Sequence, residues 1–135
     1  MTFTVTTKVQ LTDERIADVL VSAFEGGINY WAEIVSVNKP ADAIPHATER
    51  GWLMVGDEGY PSYIASPIIG GSVMLRDADD GANDHLLNRV MLENGLNIMA
   101  AEYPNHFADI LNENDDAGTA DVLVQLALFG EVVYG

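Results

Sequence analysis

Two adjacent glycines, Gly26 and Gly27, interrupt the first quarter of this chain, and what stands on either side of them restricts the fold more than any other feature. Before them, Ile16, Val19, Leu20 and Phe24 recur at helical spacing and make one apolar stripe. After them, Ile28-Asn29-Tyr30-Trp31 opens the densest aromatic segment of the sequence. Glycine enters the left-handed backbone region without steric cost, so a pair of them suits a helix C-cap followed by a tight reversal. The pattern predicts a helix over residues 13–25 and a strand over residues 28–37. Thr12 is placed to cap the helix, Asp13 and Glu14 suit the positive end of its dipole, and Leu11 can close on Ile16 as a hydrophobic staple. In the strand, Tyr30, Ala32 and Ile34 share one face and Trp31, Glu33, Val35 and Val37 the other. Neither face is wholly polar, which predicts cover on both sides.

The rest of the chain divides at its own punctuation. Residues 2–9 are rich in Thr and Val, with Phe3, Val5 and Val9 on one alternation face, and read as a half-buried strand. Residues 38–48, with Pro40 and Pro45, read as a long loop, and residues 52–55 as a short strand. Pro67 argues against a central strand through residues 64–69, and the Gly70-Gly71 pair precedes a strand over residues 72–76. The run Asp77, Asp79, Asp80, Asn83, Asp84 carries oxygen ligands of the kind calcium takes, but Gly81 and Asn88 fall at the wrong places for an EF-hand loop. It reads more simply as a solvated turn leading to a helix cap at Asn83 or Asp84. From His85 onward the period is helical: Gly95 ends or weakens the helix, Pro104 stops it, and Phe107, Ile110 and Leu111 add a short amphipathic turn. A last helix, capped by Thr119, runs to Gly130. The expected architecture is a single α+β domain over residues 1–135. A small, largely antiparallel sheet packs against an N-terminal helix and several C-terminal helices.

Function is bounded mainly by charge and by what is missing. Twenty-one acidic residues against 6 basic ones give a formal charge of −15, a field that repels nucleic acid and anionic membranes. No cysteine is present, so disulfides, thiolate metal sites and cysteine nucleophiles are excluded. No apolar run approaches the ~18 residues of a membrane span, and a cytoplasmic location is expected. No phosphate loop, dinucleotide fingerprint, nucleophile elbow or histidine metal motif occurs, so no catalytic residue, cofactor or metal is assigned. Beyond Arg89 there is no further Lys or Arg. Asp109, Glu113, Asp115, Asp116 and Asp121 in that stretch are the candidate contacts for a basic protein partner, although solubility or a salt-adapted habitat would also explain the acidity. A second expectation, from another class, is a small-ligand binder or undetected enzyme with a pocket at residues 25–31. There Glu25, Asn29, Tyr30 and Trp31 would supply polar and stacking contacts, unless the aromatics simply pack. The apolar C-terminal Val132-Val133-Tyr134 is expected to pack on the body or on a second subunit of a homo-oligomer.

The strings Glu25-Gly26-Gly27-Ile28-Asn29-Tyr30-Trp31 and Leu128-Phe129-Gly130-Glu131-Val132-Val133-Tyr134-Gly135 resemble segments of small uncharacterised proteins encoded by tailed phages and prophages. The resemblance covers one segment near each end of the chain and brings no activity or catalytic residue with it. It implies a mobile-element origin and an accessory or counter-defence role against host machinery.

Overall fold

A computed structural model describes residues 1–39, 59–77 and 83–135 of the chain. Helix α1 (Asp13–Ser22) starts where Thr12 accepts a hydrogen bond from the Arg15 amide at 3.1 Å, and it buries Ile16, Ala17, Val19 and Leu20. Instead of ending near Glu25 it widens into a five-residue π turn (Ala23–Gly27), closed by the Ile28 amide on the Ala23 carbonyl at 3.0 Å. The Ile28 carbonyl then accepts from the amides of both Trp31 (3.0 Å) and Ala32 (2.9 Å). That turn uses up residues 28–31, so strand β1 (Ala32–Asn38) begins four residues later than the periodicity suggests.

β1 pairs antiparallel with β2 (Ser72–Asp77), and β2 with β3 (Asp84–Leu87), giving the order β1-β2-β3. Ala32 stands opposite Asp77 and Ile34 opposite Leu75, and the register slips by one residue between Ile34 and Ser36. Only β2 has a neighbour on each side within this sheet, and its Val73 and Leu75 are fully buried. β1 is not covered on both sides as expected: Glu33, Ile34, Val35 and Ser36 are all exposed, as suits an edge strand. β3 replaces the expected start of a helix at His85. Leu86, Leu87, Val90 and Met91 do fit a helical stripe, but residues 84–87 gain a ladder with β2, and the helix starts only at Arg89.

Between the first two strands lies α2 (Ser62–Ile68), a helix in the stretch where Pro67 argues against a strand. Pro61 takes the N-cap position, where a backbone N–H would have no intrahelical acceptor and its absence costs nothing, and Pro67 falls in the last turn. Gly70, at φ 103°, adopts the left-handed conformation, and the Gly71 amide returns to the Ser66 carbonyl at 2.8 Å, a Schellman closure. The C-terminal half is helical: α3 (Arg89–Glu102), α4 (Pro104–Leu111) and α5 (Ala117–Phe129). Gly95 does not weaken α3. A Cβ there would stand 2.8 Å from the Ala127 nitrogen, so the glycine lets α3 and α5 approach backbone to backbone. α5 is capped by Asp116, not by Thr119, whose amide is the donor at 2.9 Å; the helix ends at Gly130 with φ 73°. It buries every residue from Thr119 to Ala127 except Asp121 and Val122, which are half-buried.

The chain is thus a small α+β fold, with helices gathered on a three-stranded antiparallel sheet and Leu20, Ile28, Trp31, Leu75, Met99, Ile110 and Leu123 among its fully buried side chains. Residues 2–9 form no strand. They are exposed along their whole length, because an alternating segment becomes a strand only where a ladder partner exists, and none is found among the described residues. The expected strand over residues 52–55 lies outside the described residues.

Candidate functional site

Gly27 sets the site in place. A Cβ on it would stand 2.5 Å from the Ala117 carbonyl oxygen, so only glycine lets the π turn dock on the N-terminus of α5. Gly26 has nothing within 4 Å of its would-be Cβ and is not required in this way. The docking carries Tyr30 and Trp31 to the second turn of α5, where Asp121 holds both. The Tyr30 hydroxyl donates to Oδ2 at 2.6 Å and the Trp31 indole to Oδ1 at 2.8 Å. Gln125, one turn further on, donates to the same Oδ1 at 2.9 Å.

The amide of Gln125 also fastens the C-terminus. Gly130 turns the chain back along α5, and Gln125 Oε1 accepts from the amides of Val133 (2.7 Å) and Tyr134 (2.8 Å) while Nε2 donates to the Tyr134 carbonyl at 3.1 Å. Tyr134 then lies flat on Trp31, with centroids 4.8 Å apart and planes 7° apart, and Phe129 leans on the same indole at 5.6 Å. A Cβ on Gly135 would stand 3.2 Å from the Tyr30 hydroxyl, so the chain end lies beside it. Burial of that hydroxyl, then the hydrogen bond to Asp121 and its charge, push the Tyr30 phenol up to about 12. Phe129 meets the edge of His85 at 4.9 Å, and His85 Nε2 sits 3.1 Å from Asp77 Oδ2, close but off the line of a hydrogen bond.

Of the four residues expected to bind a small ligand, Glu25, Asn29 and Tyr30 are exposed, whereas Trp31 is 2% exposed with one face taken by Tyr134. A ligand stacking on that face of Trp31 would first have to displace the tail. The five acids expected to meet a partner fall into two groups. Asp115 is ion-paired with Arg15 and only 7% exposed; Asp116 caps α5, its carboxyl held below the usual range chiefly by the Thr119 amide; Asp121 is the anchor just described. Asp109, half-buried, and Glu113, exposed at φ 56°, make no side-chain ion pair among the described residues. The structure therefore joins Tyr30, Trp31 and Asp121, which sequence reading assigned to two different functions. Sequence reading missed Gln125, and while Tyr134 packs on the body as expected, its stacking on Trp31 was not foreseen. The signal was Gln125 itself, the one polar side chain in the run Val122 to Phe129.

Chemically the cluster is a closed clamp, since the Asp121 oxygens already accept three hydrogen bonds and the Gln125 amide four partners between its two ends. A large cleft of about 1390 Å³ opens elsewhere, between residues 4–13 and helices α3 and α4. No group of three or more metal-ligating side chains occurs among the described residues, and no helix there is long and apolar enough to cross a membrane. No family model, curated protein or solved structure matches this chain.

Proposed function

We propose that the protein is a non-catalytic interaction protein whose acidic surface engages a basic protein partner. The observation that supports this reading is how the positive charge is spent. Of the five described cationic side chains, Arg15, Arg76 and Arg89 are each bound to a carboxylate of the same chain, Asp115, Asp84 and Asp13, and only the exposed Lys8 and Lys39 are in no such pair among the described residues. Exposed Glu25, Glu93, Glu102, Glu113 and Glu131 have no such neutralising partner among the described residues. The field outside the molecule is accordingly negative and steers a cationic surface toward it. A phage accessory or counter-defence protein acting in a host cytoplasm, in the manner of a nucleic-acid mimic, is the setting this reading favours.

The contact is assigned to Glu93, Glu102, Asp109 and Glu113 on and beside α3 and α4, because Asp115, Asp116 and Asp121 hold the fold and are not free to serve. Capture from host lysate tests it. A basic protein should be retained at low salt, released at about 0.5 M salt, and lost when Glu93, Glu102, Asp109 and Glu113 are changed together to their amides with the melting temperature not lowered. Absence of any retained partner at every salt concentration would defeat the reading.

A further inference from the structure

Residues 1–10 are exposed throughout and make no hydrogen bond among the described residues. Phe3 is 101% exposed, Val5 84% and Val9 46%, and all three lie on one alternation face. An exposed segment with this composition and alternation has the character of a strand without its partner. The cleft beside it has the complementary character: Ile16, Leu92, Leu96, Ala100 and Phe107 line the body side, and Val5 and Val9 line the arm side.

We propose that the arm of a second copy of this chain occupies the cleft, antiparallel to the arm that borders it, so that two chains associate by reciprocal pairing of residues 2–9. Length fits, since eight extended residues span ~26 Å and the 14 residues of α3 about 21 Å. Charge fits as well. Residues 1–12 carry Lys8 and no carboxylate in a chain of net charge −15, and among the charged groups lining the cleft Arg89 is paired with Asp13, which leaves Glu93 to meet a cation. Register supplies the strongest reason for a second copy. A twofold axis at Thr6 sets Phe3 against Val9 and Val5 against Thr7, which keeps both apolar faces on the same side of the two-stranded ribbon. Such a contact is isologous and closes as a dimer, and the ladder satisfies the amides and carbonyls that the arm now leaves to water.

The absence of native cysteine makes the register directly testable. Sedimentation of the full chain should show a concentration-dependent dimer. Deletion of residues 2–9, or Phe3→Asp with Val5→Asp, should raise its dissociation constant at least 100-fold while the helical circular dichroism of the body stays the same. Ala100→Glu, on the exposed cleft side, should weaken it at least 10-fold, which probes the cleft without touching the arm. Under mild oxidation Thr6→Cys should form a disulfide dimer at least 10-fold faster than Glu102→Cys on the far end of α3. A monomer at every concentration overturns the proposal, whether its arm is free or folded into its own cleft. So does a dimer indifferent to the arm, or equal cross-linking at the two cysteines.

Discussion

Gln125 is a fully buried amide in the otherwise apolar run from Val122 to Phe129, and it is tolerated because both ends of the amide are satisfied. Its loss should be felt in two places at once, in the tail it grips and in the carboxylate it steadies. Gln125→Leu is expected to cost about 2–3 kcal/mol in urea unfolding, because the Val133 and Tyr134 amides lose a buried acceptor. Trp31 fluorescence should shift to the red in the folded state as Tyr134 lifts from the indole. Tyr30 reports on the same clamp through pH. Its phenol is raised from an ordinary value of 10.0 to about 12, first by burial and then by Asp121. A raised folded value means that the folded state holds the proton more tightly, so this contribution to stability is complete below pH 10 and is lost as pH rises from there toward about 12. Ultraviolet titration should show late-ionising tyrosine, and Asp121→Asn should bring Tyr30 part of the way back, since it removes the hydrogen-bonded charge and leaves the burial.

The π turn shows how far local sequence determines an element. Helix α1 is legible in Thr12, Asp13 and Glu14 and in the stripe from Ile16 to Leu20, because capping and periodicity act within one turn of chain. Its widened end is not legible, since what demands it is a carbonyl 90 residues away: Gly27 must meet Ala117. The two glycines, which look equivalent in sequence, should therefore respond differently. Gly27→Ala is expected to cost at least about 2 kcal/mol through a backbone clash, whereas Gly26→Ala should leave stability within about 0.5 kcal/mol or slightly above the parent. Paired thermal melts separate them, and equal effects would remove the docking explanation. The same distinction accounts for the strands. Residues 72–76 are legible because a buried central strand is apolar in its own right, while residues 2–9 carry strand propensity without a partner and residues 84–87 gain a partner that their helical spacing conceals. At the site, aromatic and acidic candidates could be named from composition, but only the fold reveals that Asp121 belongs to Tyr30 and Trp31.

Over the whole molecule the balance of charges predicts how stability depends on salt. Fifteen excess negative charges on so small a body repel one another at low ionic strength, and screening beyond ~10 Å at about 0.1 M salt relieves much of that repulsion. Salt also weakens the chain's own ion pairs, which opposes the gain. Arg76 with Asp84 and Arg89 with Asp13 are exposed, and pairs of that kind are worth about 0–1 kcal/mol each, while Arg15 with Asp115 is shielded from solvent and hardly screened. The repulsive term is spread over the whole surface and should dominate, so the melting temperature rises with added salt. Two origins of the acidity then part company. A protein adapted to a saline cell needs molar salt to fold at all, whereas one whose charge serves a partner is folded in dilute buffer and gains only modestly. The core built on Trp31, Leu75, Met99 and Leu123, with α3 and α5 in backbone contact at Gly95, draws its stability from apolar burial and close packing, neither of which requires salt. Melts from about 10 mM to about 2 M sodium chloride should accordingly begin from a cooperative transition at the lowest salt. A chain unfolded there would leave the acidity explained by habitat and remove the charge argument for a basic partner.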